Sequence, residues 1–173
     1  MNLCVLGYAK VYNRLFEDLL GRYNRLVRPA ADPNDTIHIE FKLKLSQIVD
    51  VHAKDQTLTM NGWLIHHWYD YRLSWDPEEY GGVKHFHLPG EIIWLPDIIL
   101  YNKFVPSSDS SHIPFAFLSA LMTWQPPVVY HSFCTINVEW YPYDIQQCEL
   151  KFGSWTYSGT QLDLMHVSAQ HSF

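Results

Sequence analysis

The sequence predicts a mainly β domain, a β-sandwich capped by one N-terminal α-helix. Three observations predict it. Apolar residues near the N-terminus recur at helical spacing, whereas from residue 37 the period drops to two. Short alternating segments then follow at regular intervals, separated by Pro, Gly and Asp turn signals. Finally, 173 residues with 47% hydrophobic and 17% charged side chains suffice for one packed core and argue against disorder. A helix followed by many short strands suits two packed layers, not alternating α/β units.

The helix is expected over about 9–28. Val11, Leu15, Leu19, Tyr23, Leu26 and Val27 form its apolar stripe, with Phe16 and Leu20 alongside, and Pro29 stops it. Residues 29–35 read as a loop. The sandwich is expected over about 36–168. Ile37, Ile39, Phe41, Leu43 and Leu45 alternate with His38, Glu40, Lys42, Lys44 and Ser46, a half-buried strand. A second strand runs from Gln56 to about Tyr71. Shorter ones are expected near 85–88, 91–94, 98–101, 128–139, 146–155 and 162–168. Asp76-Pro77, Gly81-Gly82, Pro89-Gly90, Pro126-Pro127, Pro142 and Ser158-Gly159 punctuate them.

The net charge of -6 offers no basic stripe for phosphates, which argues against nucleic acid as a partner. No apolar run reaches the roughly 18 residues that cross a bilayer. Residues 1–9 lack a basic lead-in and make a poor secretory signal, so a truncated start is expected. Seven Trp and eleven Tyr exceed what a core of this size needs, and suit an aromatic pocket or a wide interface.

Several residue clusters point to chemistry only weakly. His85 and His87 share a strand face, and His66-His67 lies on another, but a metal needs a third or fourth ligand. Glu78-Glu79 beside Asp76 and Pro77 reads as a turn. Ser107, Ser108, Ser110, Ser111 and His112 have no nucleophile elbow or oxyanion motif with them. No catalytic residue, cofactor or metal is expected, and the chain is not read as an enzyme.

The cysteines are Cys4, Cys134 and Cys148. The last two bracket thirteen residues that contain Tyr141-Pro142-Tyr143-Asp144. This aromatic-Pro-aromatic-Asp group at that spacing resembles the signature loop of the Cys-loop pentameric ligand-gated channels. Trp94-Leu-Pro-Asp97-Ile-Ile-Leu-Tyr101-Asn102, Gly153-Ser-Trp155-Thr-Tyr157 and Leu73-x-Trp75 resemble the nicotinic acetylcholine receptor branch of that family. The resemblance covers roughly residues 10–168. It implies a helix-capped, immunoglobulin-like sandwich with a Cys-loop, closed by a Cys134–Cys148 disulfide. That closure is worth about 3 kcal/mol in the chain-entropy picture. The Tyr141–Pro142 bond is a candidate cis peptide, and the four-residue group is expected to couple the domain to a pore.

The resemblance also implies the ligand chemistry. A quaternary ammonium has no N–H to donate and is held by aromatic faces, each giving about 0.5–2 kcal/mol. By position, Tyr101 and Trp155 correspond to the principal face, with Tyr157 beside them. Trp63 corresponds to the complementary face, to which Thr123 and Gln125 are also assigned. Trp75, Trp94 and Trp140 are expected to be scaffold, and Asp97 to order the loop that carries Tyr101. The stretch 103–123 is more apolar than its nicotinic counterpart and matches it poorly.

The partners implied are acetylcholine or a related quaternary or protonated amine, and sister subunits in a pentamer. The domain would be extracellular, on a subunit of the plasma or postsynaptic membrane, and Asn34 opens an Asn-Asp-Thr glycosylation sequon. The sequence is expected to end before the rest of the principal face and the membrane spans. Two other readings stay open: a soluble acetylcholine-binding module, and a truncated isoform that interferes with receptor assembly. The apolar Trp140-Tyr-Pro-Tyr143 loop argues against the first.

Overall fold

Two hydrophobic clusters, one beneath an N-terminal helix and one against a disulfide, organise the chain. A computed structural model describes residues 3–103, 115–117 and 120–166. Helix α1 spans Leu3–Leu20. It buries Leu15 completely and packs Val11, Tyr12 and Leu19 onto the first cluster.

The helix ends well before Pro29, contrary to the periodicity. Gly21 caps it, its N–H donating to the Glu17 carbonyl at 2.9 Å. A Cβ at residue 21 would lie 2.8 Å from that oxygen, so glycine alone fits without a shift. Asn24 Oδ1 then accepts from the Leu26 N–H at 2.9 Å and closes a turn. Tyr23, counted in the helical stripe, instead donates its hydroxyl to Asp70 Oδ2 at 2.7 Å and accepts from the Trp94 N–H at 3.0 Å. Arg72 completes this node. It pairs with the buried Asp70 at 2.8 Å and lays its guanidinium 4.3 Å from the Tyr23 ring centre. Burial, and then the Asp70 carboxylate, push the Tyr23 phenol well above its ordinary value.

Among the described residues nine strands follow: β1 Ile37–His52, β2 Thr57–Tyr69, β3 His85–His87, β4 Ile98–Leu100, β5 Phe115–Phe117, β6 Leu121–Trp124, β7 Pro127–Phe133, β8 Phe152–Ser154 and β9 Leu162–His166. Seven form one sheet in the order β3-β5-β6-β2-β1-β9, with β7 also on β2. β1 and β2 are antiparallel, and β9 runs parallel to β1. Pro126-Pro127 lets β6 and β7 share one edge of β2, β6 pairing with 66–69 and β7 with 57–63. The two-stranded β4–β8 sheet forms the other layer. Phe152 of β8 packs 4.9 Å from Phe41 and 5.7 Å from Tyr130, ring centre to ring centre, which joins the layers.

The alternation read along β1 holds only as far as Phe41: Leu43 is half-buried and Leu45 is exposed, because the strand runs past the edge of the core. β2 alternates along its length. Leu58, Met60, Leu64, His66 and Trp68 are buried, and Trp63 and Tyr69 face out. Elsewhere the pattern misled. The strand expected at 91–94 is a 3₁₀ turn over Gly90–Ile92, because consecutive Ile93 and Trp94 are both buried and cannot alternate. The strand expected at 146–155 is ordered as a ladder only at Phe152–Ser154. Before it, the Asn102 side chain takes the ladder's place, donating to the Glu149 carbonyl at 2.7 Å and accepting from the Lys151 N–H at 3.0 Å. β7 stops at Phe133, since the Cys134 N–H turns to the Gln56 carbonyl at 2.8 Å. β5 and β6 lie in the apolar stretch that sequence reading left unassigned. The Ser107–His112 loop reading and the last two residues of the final expected strand lie outside the described residues.

Trp75 and Trp94 are core residues, as expected. Trp140 is not: it is 72% exposed at the tip of the disulfide-closed loop. Among the described residues, no helix is long and apolar enough to cross a membrane.

Candidate ligand-binding site and disulfide-closed loop

The β4–β8 sheet holds the two aromatic residues assigned to the principal face. Tyr101 follows β4 directly. Its N–H donates to the Lys151 carbonyl at 2.8 Å, and its hydroxyl to the Ser154 carbonyl at 2.5 Å. The ring passes over Gly153 so closely that a Cβ there would sit 2.6 Å from Tyr101 Cε2. Trp155 follows β8, and its N–H donates to the Asp97 carbonyl at 3.2 Å. Both rings are open to solvent, Tyr101 at 52% and Trp155 at 73%.

Asp97 joins the two segments. Its Oδ1 accepts from Ser154 Oγ at 2.6 Å and its Oδ2 from the Thr156 N–H at 2.7 Å. Ser154 Oγ in turn accepts from the Tyr157 N–H at 2.9 Å. Asp97 was expected to order the loop that carries Tyr101; its side-chain bonds instead tie down the turn of Trp155. Tyr157 is half-buried, and its hydroxyl accepts from Trp94 Nε1 at 3.2 Å, which fixes it against the core.

The residues assigned to the complementary face lie on the other sheet. Trp63 is 44% exposed on the outer face of β2, opposite Lys44 and Pro127. Thr123 on β6 is buried, with its hydroxyl 2.9 Å from His67 Nδ1, and Gln125 is exposed just beyond β6. One chain thus gathers Tyr101 and Trp155 on one layer and places Trp63 on the opposite one.

Cys134 and Cys148 are disulfide-bonded, with Cα atoms 4.9 Å apart. Cys134 is buried in the second cluster and Cys148 packs at its edge. The Tyr141–Pro142 bond is cis. Gln146 braces the loop: its Oε1 accepts from the Asn137 N–H at 3.0 Å, and its Nε2 donates to the Asn137 carbonyl at 2.7 Å and to Asp144. The tip presents Trp140, Tyr141, Tyr143 and Ile145 to solvent, Tyr143 and Ile145 almost entirely. Asn34 is exposed, and its sequon partner Thr36 donates its hydroxyl to the Thr160 carbonyl at 2.7 Å.

Sequence reading gave no role to Gly153, Ser154 or Asn102, although all three stand inside the quoted motifs. The signal available was their place beside Trp155 and Tyr101. Their hydrogen bonds became visible only once the two strands were paired.

Residues 12–172 match the family described as neurotransmitter-gated ion-channel ligand binding domain. The chain is 51% identical over 160 residues to acetylcholine receptor subunit alpha-type unc-63 of Caenorhabditis elegans, covering 89% of this chain and 31% of that protein. It is 45% identical over 164 residues to acetylcholine receptor subunit alpha-like 2 of Drosophila melanogaster, covering 91% of this chain and 28% of the relative. With neuronal acetylcholine receptor subunit alpha-2 of Rattus norvegicus the identity is 43% over 160 residues, covering 91% and 31%. The chain spans about a third of the length of the curated relatives it matches. On the family match over residues 12–172 and these relatives, the chain belongs to the neurotransmitter-gated ion-channel ligand-binding domains, on the acetylcholine receptor subunit branch.

Proposed function

We propose that this domain is the extracellular agonist-binding part of an acetylcholine-gated cation channel subunit. Tyr101 and Trp155 supply aromatic faces for a quaternary or protonated amine, and Tyr157 buttresses them from the core. A neighbouring subunit of the same kind contributes Trp63, with Thr123 and Gln125 along the same face. The observation that carries this reading is the pairing of two solvent-open rings on one small sheet, locked together through Asp97. The placement of Trp63 on the opposite layer supports a site completed between subunits of a pentamer, because a single chain does not bring the three rings to one layer.

The disulfide-closed loop is the proposed coupling element. Trp140, Tyr141, Tyr143 and Ile145 are too apolar to remain wetted without a partner, which favours packing against a membrane-domain linker. The same exposure weighs against a freely soluble binding module. Exposed Asn34 suits a glycan on an extracellular surface.

The experiment is Trp155→Ala in a full-length subunit carrying this domain, assembled into receptors at the cell surface. Agonist affinity is expected to fall by about tenfold or more, as one strong cation–π face is removed. Unchanged agonist affinity at normal surface expression would overturn the assignment.

A further inference from the structure

Where β1 begins, an open groove of about 330 Å³ runs between the strand start and the end of β2. Pro29, Ala31 and Ile37 give it apolar walls, and Tyr69 and Tyr71 also line it. Both tyrosines are more than half open to solvent, Tyr69 at 63% and Tyr71 at 55%. Neither has a part in the proposed agonist site or in the disulfide-closed loop. Asp35 and Thr36 complete the lining. They are the second and third residues of the Asn34-Asp35-Thr36 sequon, so the exposed attachment residue is the immediate chain neighbour of the groove wall, about 3.8 Å away from Cα to Cα.

The loop around Asn34 is tied down on both sides. The Arg28 guanidinium donates to the carbonyls of Pro33, at 2.7 Å, and Asp35, the two residues that flank Asn34, and to that of Gln161 at 2.7 Å. The Asp32 N–H donates to Asp35 Oδ2 at 2.9 Å, and the Asp35 N–H returns to the Asp32 carbonyl at 3.1 Å. A sugar chain on Asn34 therefore starts from a fixed point beside the groove. Such a tether holds it there at a high effective concentration, so weak contacts suffice to seat it. Two open tyrosine rings beside apolar walls suit a partner with one apolar face and a wettable edge. A pyranose has both: C–H groups that lie on an aromatic ring, and hydroxyls that water and the Asp35 carboxylate satisfy.

We infer that the innermost sugars of an N-linked glycan on Asn34 lie in this groove against Tyr69 and Tyr71, and cap the seam between the start of β1 and the end of β2. The size agrees, since a cavity of about 150 Å³ in another protein holds benzene and this groove has room for a sugar ring. The inference rests on the reading of Asn34 as a glycosylation site and is independent of the agonist reading.

The test uses a full-length subunit carrying this domain, made in glycosylating cells and purified without denaturation. Mass spectrometry of the peptide containing Asn34 reads its occupancy, and then the release of its glycan by a peptide-N-glycosidase over time. Release from the native subunit is expected to be about tenfold slower than from the denatured one. Tyr71→Ala, with Tyr69→Ala as the second variant, is expected to speed native release about five- to tenfold, as a stacked face is lost. Tyr71→Phe keeps the ring and is expected to keep the protection. Both rings are exposed, so these changes leave the core intact, and a melting curve checks it. The wild-type comparison decides where a variant misfolds, since native release as fast as denatured release sinks the inference. An unoccupied Asn34 would overturn both the inference and the glycosylation reading. An occupied Asn34 whose native release is unmoved in both alanine variants, or is sped equally by Tyr71→Phe, would overturn the docking alone.

Discussion

Gly153→Ala tests the aromatic site through a residue that no ligand would touch. The added Cβ would stand 2.6 Å from Tyr101 Cε2 and 3.3 Å from Cζ, closer than carbon atoms approach in folded proteins. The β8 backbone has no need to move, because Gly153 lies outside the left-handed region and pairs with Ile99 in an ordinary ladder. The Tyr101 ring is half-exposed and has room to swing away, so it gives first. Swinging breaks its bond to the Ser154 carbonyl and removes one face from the proposed cage. Loss of one cation–π face costs about 1–2 kcal/mol, or about five- to thirtyfold in agonist affinity. Equilibrium displacement of a labelled agonist from assembled receptors measures it, and a melting curve checks that the fold is intact. The decisive control is Tyr101→Ala. In that background Gly153→Ala is expected to have no further effect, since the ring it displaces is gone. Additive losses in the double variant would refute the reasoning.

Cys148→Ser opens the loop and is expected to cost about 3 kcal/mol of stability, read as a lowered denaturation midpoint and reduced surface delivery. Normal stability would mean that the second cluster holds the loop unaided. Stability should also respond to pH through His66. Its folded pKa, about 4, lies below the ordinary 6.5, so between those values the unfolded chain binds the proton more readily. Stability therefore falls as pH drops through that window, by up to roughly 3 kcal/mol at its lower end. His66→Gln is expected to flatten the melting temperature against pH between 6.5 and 4. An unchanged slope would place the acid sensitivity elsewhere.

The sequence carried most of the fold because period and punctuation agree along β2 and the first residues of β1, where one face is buried and the other wet. It failed where burial is not one-sided. Ile93 and Trp94 are both interior, and the run from Gln146 to Lys151 is held by side-chain bonds of Gln146 and Asn102 and by the disulfide rather than by a ladder. Tyr23 shows a second limit. Its spacing fits the helix, yet its hydroxyl is taken by Asp70, a partner far along the chain that no local pattern reveals. Of the candidate site, Tyr101 and Trp155 were named from their motifs, and Asp97 from the same motif as Tyr101. The tight approach of Tyr101 to Gly153 was not, because it exists only when β4 and β8 pair.

Asn102 shows how a movement of Tyr101 would reach the disulfide-closed loop. It follows Tyr101 directly and clamps both ends of that loop. Its carbonyl accepts from the N–H of Phe133, the residue before Cys134, at 3.0 Å. Its side chain donates to the carbonyl of Glu149, the residue after Cys148, at 2.7 Å. A rigid link of this kind transmits displacement only while the side chain is present. Asn102→Ala keeps the backbone bond to Phe133 and removes the side-chain bonds to Glu149 and Lys151, together with the longer one to the Phe133 carbonyl at 3.5 Å. The affected groups are exposed enough for water to replace the asparagine, so the stability loss should be modest, about 1–2 kcal/mol. Agonist affinity should change little, since Tyr101 keeps its own bonds to Lys151 and Ser154. On the proposed coupling role of the loop, opening of a full-length receptor by a saturating agonist should fall, because the side-chain part of the connection is cut. Single-channel recording at saturating agonist separates the two quantities. If Asn102→Ala weakens binding and leaves the open probability untouched, the residue positions the ring and transmits nothing.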